Sequence, residues 1–381
     1  MVNSYANTKY LGEIMDSLSS KYEDKNRDHV VKILLLGLCT IVIAIFALGQ
    51  GSSVNLDMLT TAKILLQIEE GSEIQRLILW EYRVPRVVFA IIAGIGLAVA
   101  GALMQGALGN PLVSPLTLGV ASGAALGAAF AIFLDLTFVS ELLAVLWSGV
   151  TAIIPVMPVI SFVGSDLVLN AFFFALFVVY IIIKLGSVRG VTAESYILVG
   201  IAITFIAGAI VQTMVYFATA EELSQLTHWS FGSLARVDSR EVWLIGGVVI
   251  FLVPKALEWS WDLNSLSIGG DEFAISTGVD PVDTRKKILV LSSLLTALII
   301  SFTGMIGFVG LAAPHMSRLI IGNDYRKLIP CSAIFGALLM LIADTIGRTI
   351  IAPVVLPVGL MLSVVGGPLF IYLLLTNRGG H

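Results

Sequence analysis

Charged residues are scarce in this sequence. Of its 381 residues, 13% are charged and 57% are hydrophobic, and the mean hydropathy is +0.96. Soluble domains carry about 25% charged residues, and the shortage here extends along the whole chain. It therefore excludes a soluble protein and a soluble domain on a single anchor. The apolar runs are continuous rather than short and alternating, which predicts an all-α integral membrane protein and excludes a barrel.

The sequence also lacks the residues of common catalytic sites. Its two cysteines, Cys39 and Cys331, both lie in apolar runs and suggest no disulfide framework. The four histidines are scattered without metal-ligand spacing, and there is neither a G-x-S-x-G turn nor a G-x-x-x-x-G-K-[ST] phosphate loop. We expect no cofactor in this chain, no enzymatic activity of its own and no nucleic-acid partner.

What the sequence contains instead is a series of apolar segments. We predict ten membrane-spanning helices, at 31–50, 84–107, 116–134, 167–185, 196–217, 242–259, 288–303, 306–321, 328–346 and 354–376. Residues 1–30 are polar and have no apolar core, so we predict a cytoplasmic extension rather than a cleaved signal peptide. The ten-span domain then covers 31–376, and 377–381 form a cytoplasmic tail.

Lysine and arginine set the predicted orientation. With the N-terminus inside, fifteen of the 22 Lys and Arg residues fall in inner segments and seven in outer ones, which predicts that both termini are cytoplasmic. Arg83 and Arg86 belong to the outer minority. A further apolar segment at 142–163 is interrupted by Pro155 and Pro158. We interpret it as a re-entrant or interfacial segment on the outer side.

Two polar connections are informative. The inner connection 262–287 is the longest after the N-terminus and contains "GGDEF" at 269–273, the signature of diguanylate cyclases. That chemistry needs a full soluble domain, so in so short a connection we interpret the match as coincidence. The outer segment "AEELSQLTHWSF" spaces Leu223, Leu226 and Trp229 at helical intervals, which predicts a short amphipathic helix.

Ionisable residues inside the predicted spans are few. Asp344 and Arg348 are four residues apart near the outer end of a span and can pair on one helix face. No series of Asp, Glu and His crosses the apolar core, which disfavours transport driven by an ion gradient. The residues alone thus predict a polytopic transporter or channel energised by a partner at 262–287. A secondary transporter and a signalling enzyme built on "GGDEF" are the alternatives.

Four stretches resemble the iron-siderophore, haem and cobalamin permease family of ABC importers. They are "RVPRVVFAIIAGIGLAVAGALMQGALGNPLVSPLTLGVASGA" from Arg83, "YILVGIAITFIAGAIVQTMVYFATAEELSQLTHWSFGSL" from Tyr196, "LNSLSIGGDEFAISTGVD" from Leu263, and "GFVGLAAPHMSRLIIGNDYRKLIP" from Gly307 leading into "ADTIGRTIIAPVVLPVGLMLSVVGGPLFIYLLL". The resemblance implies ten spans per subunit, a homodimer in the lipid of the cell membrane, two ATP-binding cassette subunits that hold ATP and Mg, and an extracytoplasmic binding protein.

The resemblance also implies roles for three outer arginines. Arg83, Arg86 and Arg348 match the family's docking site for glutamates of the binding protein. We expect them to form an exposed cationic rim, since an exposed guanidinium suits carboxylate recognition. From chemistry alone, anchoring of Arg83 and Arg86 to lipid phosphate is an equal alternative. Whether Asp344 neutralises Arg348 stays open.

Three other segments match functional parts of the family. "GNPL" resembles the cytoplasmic gate, with Asn110 and Leu112 narrowing the exit; a simple chain-reversing turn is the alternative. The outer helix would help form the opposite gate through Glu222, Leu226 and Trp229. "SIGGDEFAISTG" resembles the segment that couples to the ATPase, although Thr277 replaces the usual leucine. The matching coupling residues are Gly270, Asp271, Glu272, Ala274 and Gly278.

The expected function is therefore translocation of an iron chelate, such as a ferric siderophore or haem, or of cobalamin. Siderophore, haem, cobalamin and oxyanion transport all occur on this scaffold, so the substrate itself is left open. The 142–163 segment and the N-terminal extension depart from the family pattern and receive no role.

Overall fold

A computed structural model describes residues 2–51, 56–136, 141, 166–186 and 192–376, without the side chains of 2–19, 21–22 and 369–376. Within these residues the regular elements are all helical. The helices are α1 (Val2–Gly49), α2 (Met58–Leu65), α3 (Glu73–Leu77), α4 (Val84–Ala107), α5 (Val120–Leu134), α6 (Asp166–Gly186), α7 (Ala193–Phe217), α8 (Ala220–Ser230), α9 (Ser239–Glu258), α10 (Ser260–Ser276), α11 (Pro281–Thr303), α12 (Val309–Ile321), α13 (Tyr325–Thr349) and α14 (Val358–Thr376). A π-helical turn, Ile78–Arg83, joins α3 to α4.

Each predicted span lies in a different helix, namely α1, α4, α5, α6, α7, α9, α11, α12, α13 and α14. In the described part of the chain, six helices are long and apolar enough to cross a membrane, and α9 with α10 form a pair bent by 50° that gives a seventh. The shorter apolar helices are Val120–Leu134, Val309–Ile321 and Val358–Pro368. The all-α membrane architecture is confirmed, while the count of ten and the orientation stay predictions.

Two predicted segments fall outside the described residues, namely the interfacial segment 142–163 and the tail 377–381. The polar N-terminal extension is helical and continuous with the first span, since α1 has 48 residues. Its last part carries exposed i,i+3 and i,i+4 ion pairs, Arg27–Asp24 and Lys32–Asp28, which suit a solvated helix surface.

Helix α4 is the centre of the bundle. It is buried along most of its length and packs against α1, α9, α11, α12 and α13. Pro85 in its first turn lacks an N–H that the helix would not use, which favours a helix start here. At about 1.5 Å per residue, its 24 residues span about 36 Å. It is therefore long enough to cross the apolar core of a membrane.

Glycines set how closely the neighbouring helices approach α4. A Cβ on Gly101 would lie 1.8 Å from the carbonyl oxygen of Gly310 in α12. A Cβ on Gly94 would lie 2.3 Å from the carbonyl oxygen of Gly336 in α13. Only hydrogen fits at these crossings, so the backbones are in direct contact, as small residues allow in membrane helices.

Candidate functional site

The predicted site residues gather at the two ends of α4. Arg83 and Arg86 precede and begin the helix, whereas Asn110 and Leu112 follow its last residue. Asp344 and Arg348 are at the end of α13 beside the two arginines. The outer docking residues thus come together, and they are separated from the gate and coupling residues by the length of α4.

Where α4 begins and α13 ends, two guanidinium groups pair with a single carboxylate. Asp344 accepts a hydrogen bond of 2.9 Å from Arg348 Nε and one of 2.9 Å from Arg86 Nε. Arg86 Nη2 also lies 2.8 Å from Asp344 Oδ1, as an ion pair without hydrogen-bond alignment. Asp344 therefore does neutralise Arg348, and it shares its charge with Arg86.

Backbone carbonyls accept hydrogen bonds from the Nη atoms of Arg83 and Arg348. Arg83 donates to the carbonyls of Leu48 and Leu56 at 2.9 and 3.0 Å, and Arg348 donates to those of Gln50 and Ala47 at 2.7 and 3.1 Å. All four acceptors lie near the end of α1 or just before α2. The arginines thus hold the end of α1 and the following segment onto α4 and α13.

This arrangement corrects the expected exposure of the three arginines. A rim of exposed guanidinium groups was expected, but Arg83 is 5% and Arg348 4% exposed, because the end of α1 and the segment before α2 cover them. Arg86 is the most accessible of the three, with 14% of its side chain exposed. Docking by these residues stays a prediction.

The predicted amphipathic helix is present as α8. Thr219 and Glu222 form a capping box, with Glu222 Oε2 accepting from the Thr219 N–H at 2.7 Å. Leu226 and Trp229 are buried, whereas Leu223 is 44% exposed. Glu222 therefore caps the start of α8, and the buried Leu226 and Trp229 hold α8 against the bundle. The role of α8 as an outer gate stays a prediction.

Sequence reasoning missed Arg236, which fastens α8 to the bundle. Its guanidinium donates to the carbonyls of Trp229 at 3.2 Å, Thr303 at 3.1 Å and His228. Trp229 and His228 end α8, and Thr303 ends α11, so one cation satisfies the C-terminal carbonyls of two helices. An arginine in a loop gives no sequence signal for such a contact.

The predicted gate is a tight turn at the inner end of α4. The Asn110 side-chain oxygen accepts from the Leu112 N–H at 2.9 Å, and the Asn110 N–H donates to the carbonyl of Gln105 at 3.2 Å. Leu112 is 55% exposed. The segment "GNPL" thus forms a turn, which both interpretations require, and the gate role stays a prediction.

The predicted coupling segment is the second part of the bent helix α10. Gly270 breaks the helix with a φ of 68°, a conformation that favours glycine. Gly278, with a φ of 84°, follows the helix end at Ser276 and Thr277. Between them Ala274 is buried and Glu272 is exposed. The two matched glycines therefore delimit one short helix, and Thr277 lies at its end.

A buried arginine connects the coupling segment to the gate turn. Arg285, near the start of α11, is 5% exposed and forms a two-armed ion pair with Asp271, one arm measuring 2.8 Å. Its Nε donates to the carbonyl of Ala107, the last residue of α4, at 2.9 Å. One side chain thus joins the coupling segment, α11 and the residue that precedes the gate turn.

The Arg285 hydrogen bonds lower the pKa of the Asp271 carboxyl below its ordinary value. A carboxyl whose pKa falls on folding stabilises the folded state above its unfolded pKa, and this contribution is lost as the pH falls through the lowered value. The pair is therefore complete at neutral pH.

A second polar network lies next to this one. Arg318 of α12 donates to the side-chain oxygen of Gln105 in α4 and, at 3.3 Å, to the Tyr325 hydroxyl. The Tyr325 N–H in turn donates to the Asn264 side chain of α10 at 2.8 Å. The first part of α10 is thus tied to α4, α12 and α13 as well.

The surface of α10 combines a polar cleft with exposed apolar side chains. The cleft has a volume of about 880 Å³ and includes Asn264, Asp324 and Arg326 in its lining. Burial is the largest influence on Asp324 and raises its pKa, but hydrogen bonds from Arg326 and Asn264 outweigh it and lower the pKa to about 2. Large exposed apolar side chains surround this cleft, namely Trp261, Ile268, Phe273 and Ile275. Such a patch on a polar connection is typical of a protein-binding surface.

Comparison with known proteins assigns the family. The model of the FecCD transport family matches residues 38–376, and the chain belongs to this family. The hemin transport system permease protein HmuU of Yersinia pestis is 34% identical over 91% of this chain and 96% of its own length. The Fe(3+)-citrate import system permease protein YfmE of Bacillus subtilis (strain 168) is 32% identical over 92% of this chain and 96% of its own.

A solved structure supports the same assignment. It is described as an inward-facing metal-chelate type ABC transporter, has a TM-score of 0.73 and 26% identity, and covers 90% of this chain and 98% of its own. The predicted resemblance is therefore confirmed. The chain is a multi-pass membrane protein of the cell membrane and a transport permease of the ABC type, and its family is not a family of enzymes.

Proposed function

We propose that this chain is the membrane-spanning subunit of an importer that carries an iron chelate, such as a ferric siderophore or haem, or cobalamin. Two copies would form the pathway in the cell membrane, with both termini of each ten-span subunit in the cytoplasm. The relatives named for hemin and Fe(3+)-citrate support an iron chelate as substrate. ATP and Mg would bind only to the separate ATPase subunits.

The observation that carries the proposal is the construction of the α10 surface. Ile268 and Ile275 are 75% and 64% exposed on α10, which includes part of the connection that the sequence predicts to be cytoplasmic. The short helix beside them is tied through Asp271 and Arg285 to the end of α4. A protein that pushes on this surface would displace the gate turn, which is what an ATPase subunit must do. A gradient-driven transporter has no need of this surface.

We propose that the binding protein docks at the outer surface, on the arginine cluster formed by Arg83, Arg86 and Arg348. Arg86 and Arg348 share one carboxylate and Arg83 donates to backbone carbonyls, so the three arginines keep an excess of positive charge that suits acidic partners. Arg86 would make the first contact because it is the most exposed of the three. Asp344 then occupies the position on Arg86 that a partner carboxylate would take.

Charge reversal at Arg83 and Arg86 tests this docking. In complexes reconstituted with the ATPase and the binding protein, we expect the Arg83→Glu/Arg86→Glu variant to lose at least about tenfold in stimulated ATP hydrolysis, because close interfacial charge pairs couple by about 1.5–7 kcal/mol. The control is Arg76→Glu/Arg240→Glu, two exposed arginines on the same predicted side. Arg86→Gln serves as a milder variant in case the double variant does not fold.

The outcomes separate the two proposals. Hydrolysis that the binding protein does not stimulate in the unaltered complex contradicts the importer function. Stimulation that survives in the folded double variant and in Arg86→Gln contradicts docking alone.

A further inference from the structure

An open groove of about 460 Å³ lies between α6 and α11. Its lining residues are Leu176, Val179, Tyr180, Ile183, Lys184, Lys286, Val290 and Leu294. Five of these are aliphatic, two are lysines and none is acidic. The groove lies apart from the arginine cluster and from the α10 cleft, with which it shares no lining residue.

The lining residues change from apolar to basic along the groove. Leu176 and Lys184 are eight residues apart on α6, and Leu294 and Lys286 are eight apart on α11, which runs in the opposite direction. Eight residues of helix span about 12 Å. One end of the groove is therefore framed by two leucines, and the other end, about 12 Å away, by two ammonium groups.

The groove is accessible from outside the bundle. Val290 is 53% and Tyr180 57% exposed, so neither side chain is covered by the described part of the chain. The Lys184 ammonium lies 5.9 Å from the centre of the Tyr180 ring, which places an aromatic ring beside the basic end. A tyrosine next to lysines at the end of an apolar surface is typical of the membrane–water interface.

The cations that flank Lys286 in sequence have partners of their own. Arg285 pairs with Asp271, and Lys287 pairs with Asp283 at the next helical turn. Among the described residues no carboxylate forms an ion pair with Lys286. The positive charge that reaches the groove is thus not cancelled by its neighbours on α11.

We propose that this groove binds a phospholipid with an anionic headgroup. One acyl chain would lie against the leucine, isoleucine and valine side chains, and the headgroup phosphate would lie between Lys184 and Lys286. Basic pockets between membrane helices on the cytoplasmic side suit such headgroups. The assignment of this lipid to the inner leaflet rests on the proposed orientation of the chain. The binding itself does not depend on the transport function.

A second copy of the chain fits this groove poorly. A symmetric contact would place the same patch on both subunits and bring four lysines together. Like charges in that arrangement repel, whereas a phosphate between the two lysines is attracted to both.

Binding of phosphatidylglycerol to the purified full-length chain tests the proposal. The chain is delipidated and titrated with phosphatidylglycerol or phosphatidylcholine, and bound lipid is counted by native mass spectrometry. For Lys184→Gln/Lys286→Gln we expect about thirtyfold weaker binding of phosphatidylglycerol, or about 2 kcal/mol at 1.4 kcal/mol per tenfold, since each basic residue contributes about 1 kcal/mol. The matched control is Lys32→Gln/Lys287→Gln, which removes two exposed lysines that are paired with aspartates.

A second variant tests the apolar part of the groove. Val290→Trp fills the groove from its exposed side without changing charge, and we expect it to weaken binding of the same lipid by at least about tenfold. Inorganic phosphate should not compete, because it has no acyl chain. Unchanged binding by either variant, equal binding of phosphatidylcholine, or competition by inorganic phosphate overturns the proposal.

Discussion

Replacing Arg285 with glutamate is expected to abolish ATP-driven transport. The substitution places two carboxylates together and removes the donor to the Ala107 carbonyl, so the coupling segment loses its connection to the gate turn. Breaking a buried pair costs about 3–5 kcal/mol, and the lower end applies because 39% of the Asp271 side chain is exposed and solvent screens it. The measurement is substrate transported per ATP hydrolysed in reconstituted complexes, which we expect to fall by at least about tenfold.

Two further variants separate coupling from stability. Asp271→Arg/Arg285→Asp restores the ion pair, but an aspartate cannot donate to the Ala107 carbonyl. We expect thermal stability to recover and the transport ratio to stay low. Lys287→Gln is the control, because Lys287 pairs with Asp283 on the same helix and both side chains are 54% exposed. A transport ratio at the unaltered level in Arg285→Glu would show that this residue does not couple the two sites.

Replacing Gly101 with valine is expected to prevent stable folding. Any Cβ at this position would lie 1.8 Å from the Gly310 carbonyl oxygen, and neither backbone can move without separating α4 from α12. Overpacking costs about 1–3 kcal/mol and sometimes more; a clash between two backbones belongs at the upper end. Thermal unfolding of the detergent-solubilised protein measures the loss, and we expect a lower yield and a lower midpoint.

Gly247 in α9 provides the matched control. It is also a helical glycine in an apolar span, but no atom lies within 4 Å of a Cβ at this position. Gly247→Val should therefore unfold close to the unaltered midpoint. Equal midpoints for the Gly101 and Gly247 variants would contradict the close crossing of α4 and α12.

The apolar helices could be predicted from sequence because continuous apolar runs mark them. The predicted span 84–107 has the same bounds as α4. The predicted span 354–376 starts before α14, which begins at Val358. The family motifs indicated Gly270 and Gly278 as coupling residues, but the positive φ of both was not predicted. Apolar composition and the positions of glycines are local properties, so they can be recognised in the sequence without knowledge of the tertiary structure.

The partners of the buried cations could not be predicted in this way. Arg285 counted only as one positive charge on the inner side, although its contacts are with Asp271 and Ala107. Arg83 was expected to be exposed as part of the docking site, but it donates to carbonyls at the end of α1 and just before α2. Such contacts depend on tertiary packing between distant segments, which leaves no periodicity in the sequence.

Uptake into proteoliposomes tests the central claim most directly. The chain is reconstituted with its ATPase and binding protein, and accumulation of a ferric chelate, haem and cobalamin is followed with and without ATP and with ionophores that collapse ion gradients. The account predicts ATP-dependent accumulation of one of these substrates that ionophores leave unchanged. Uptake that continues with a catalytically inactive ATPase partner and is stopped by ionophores would contradict it.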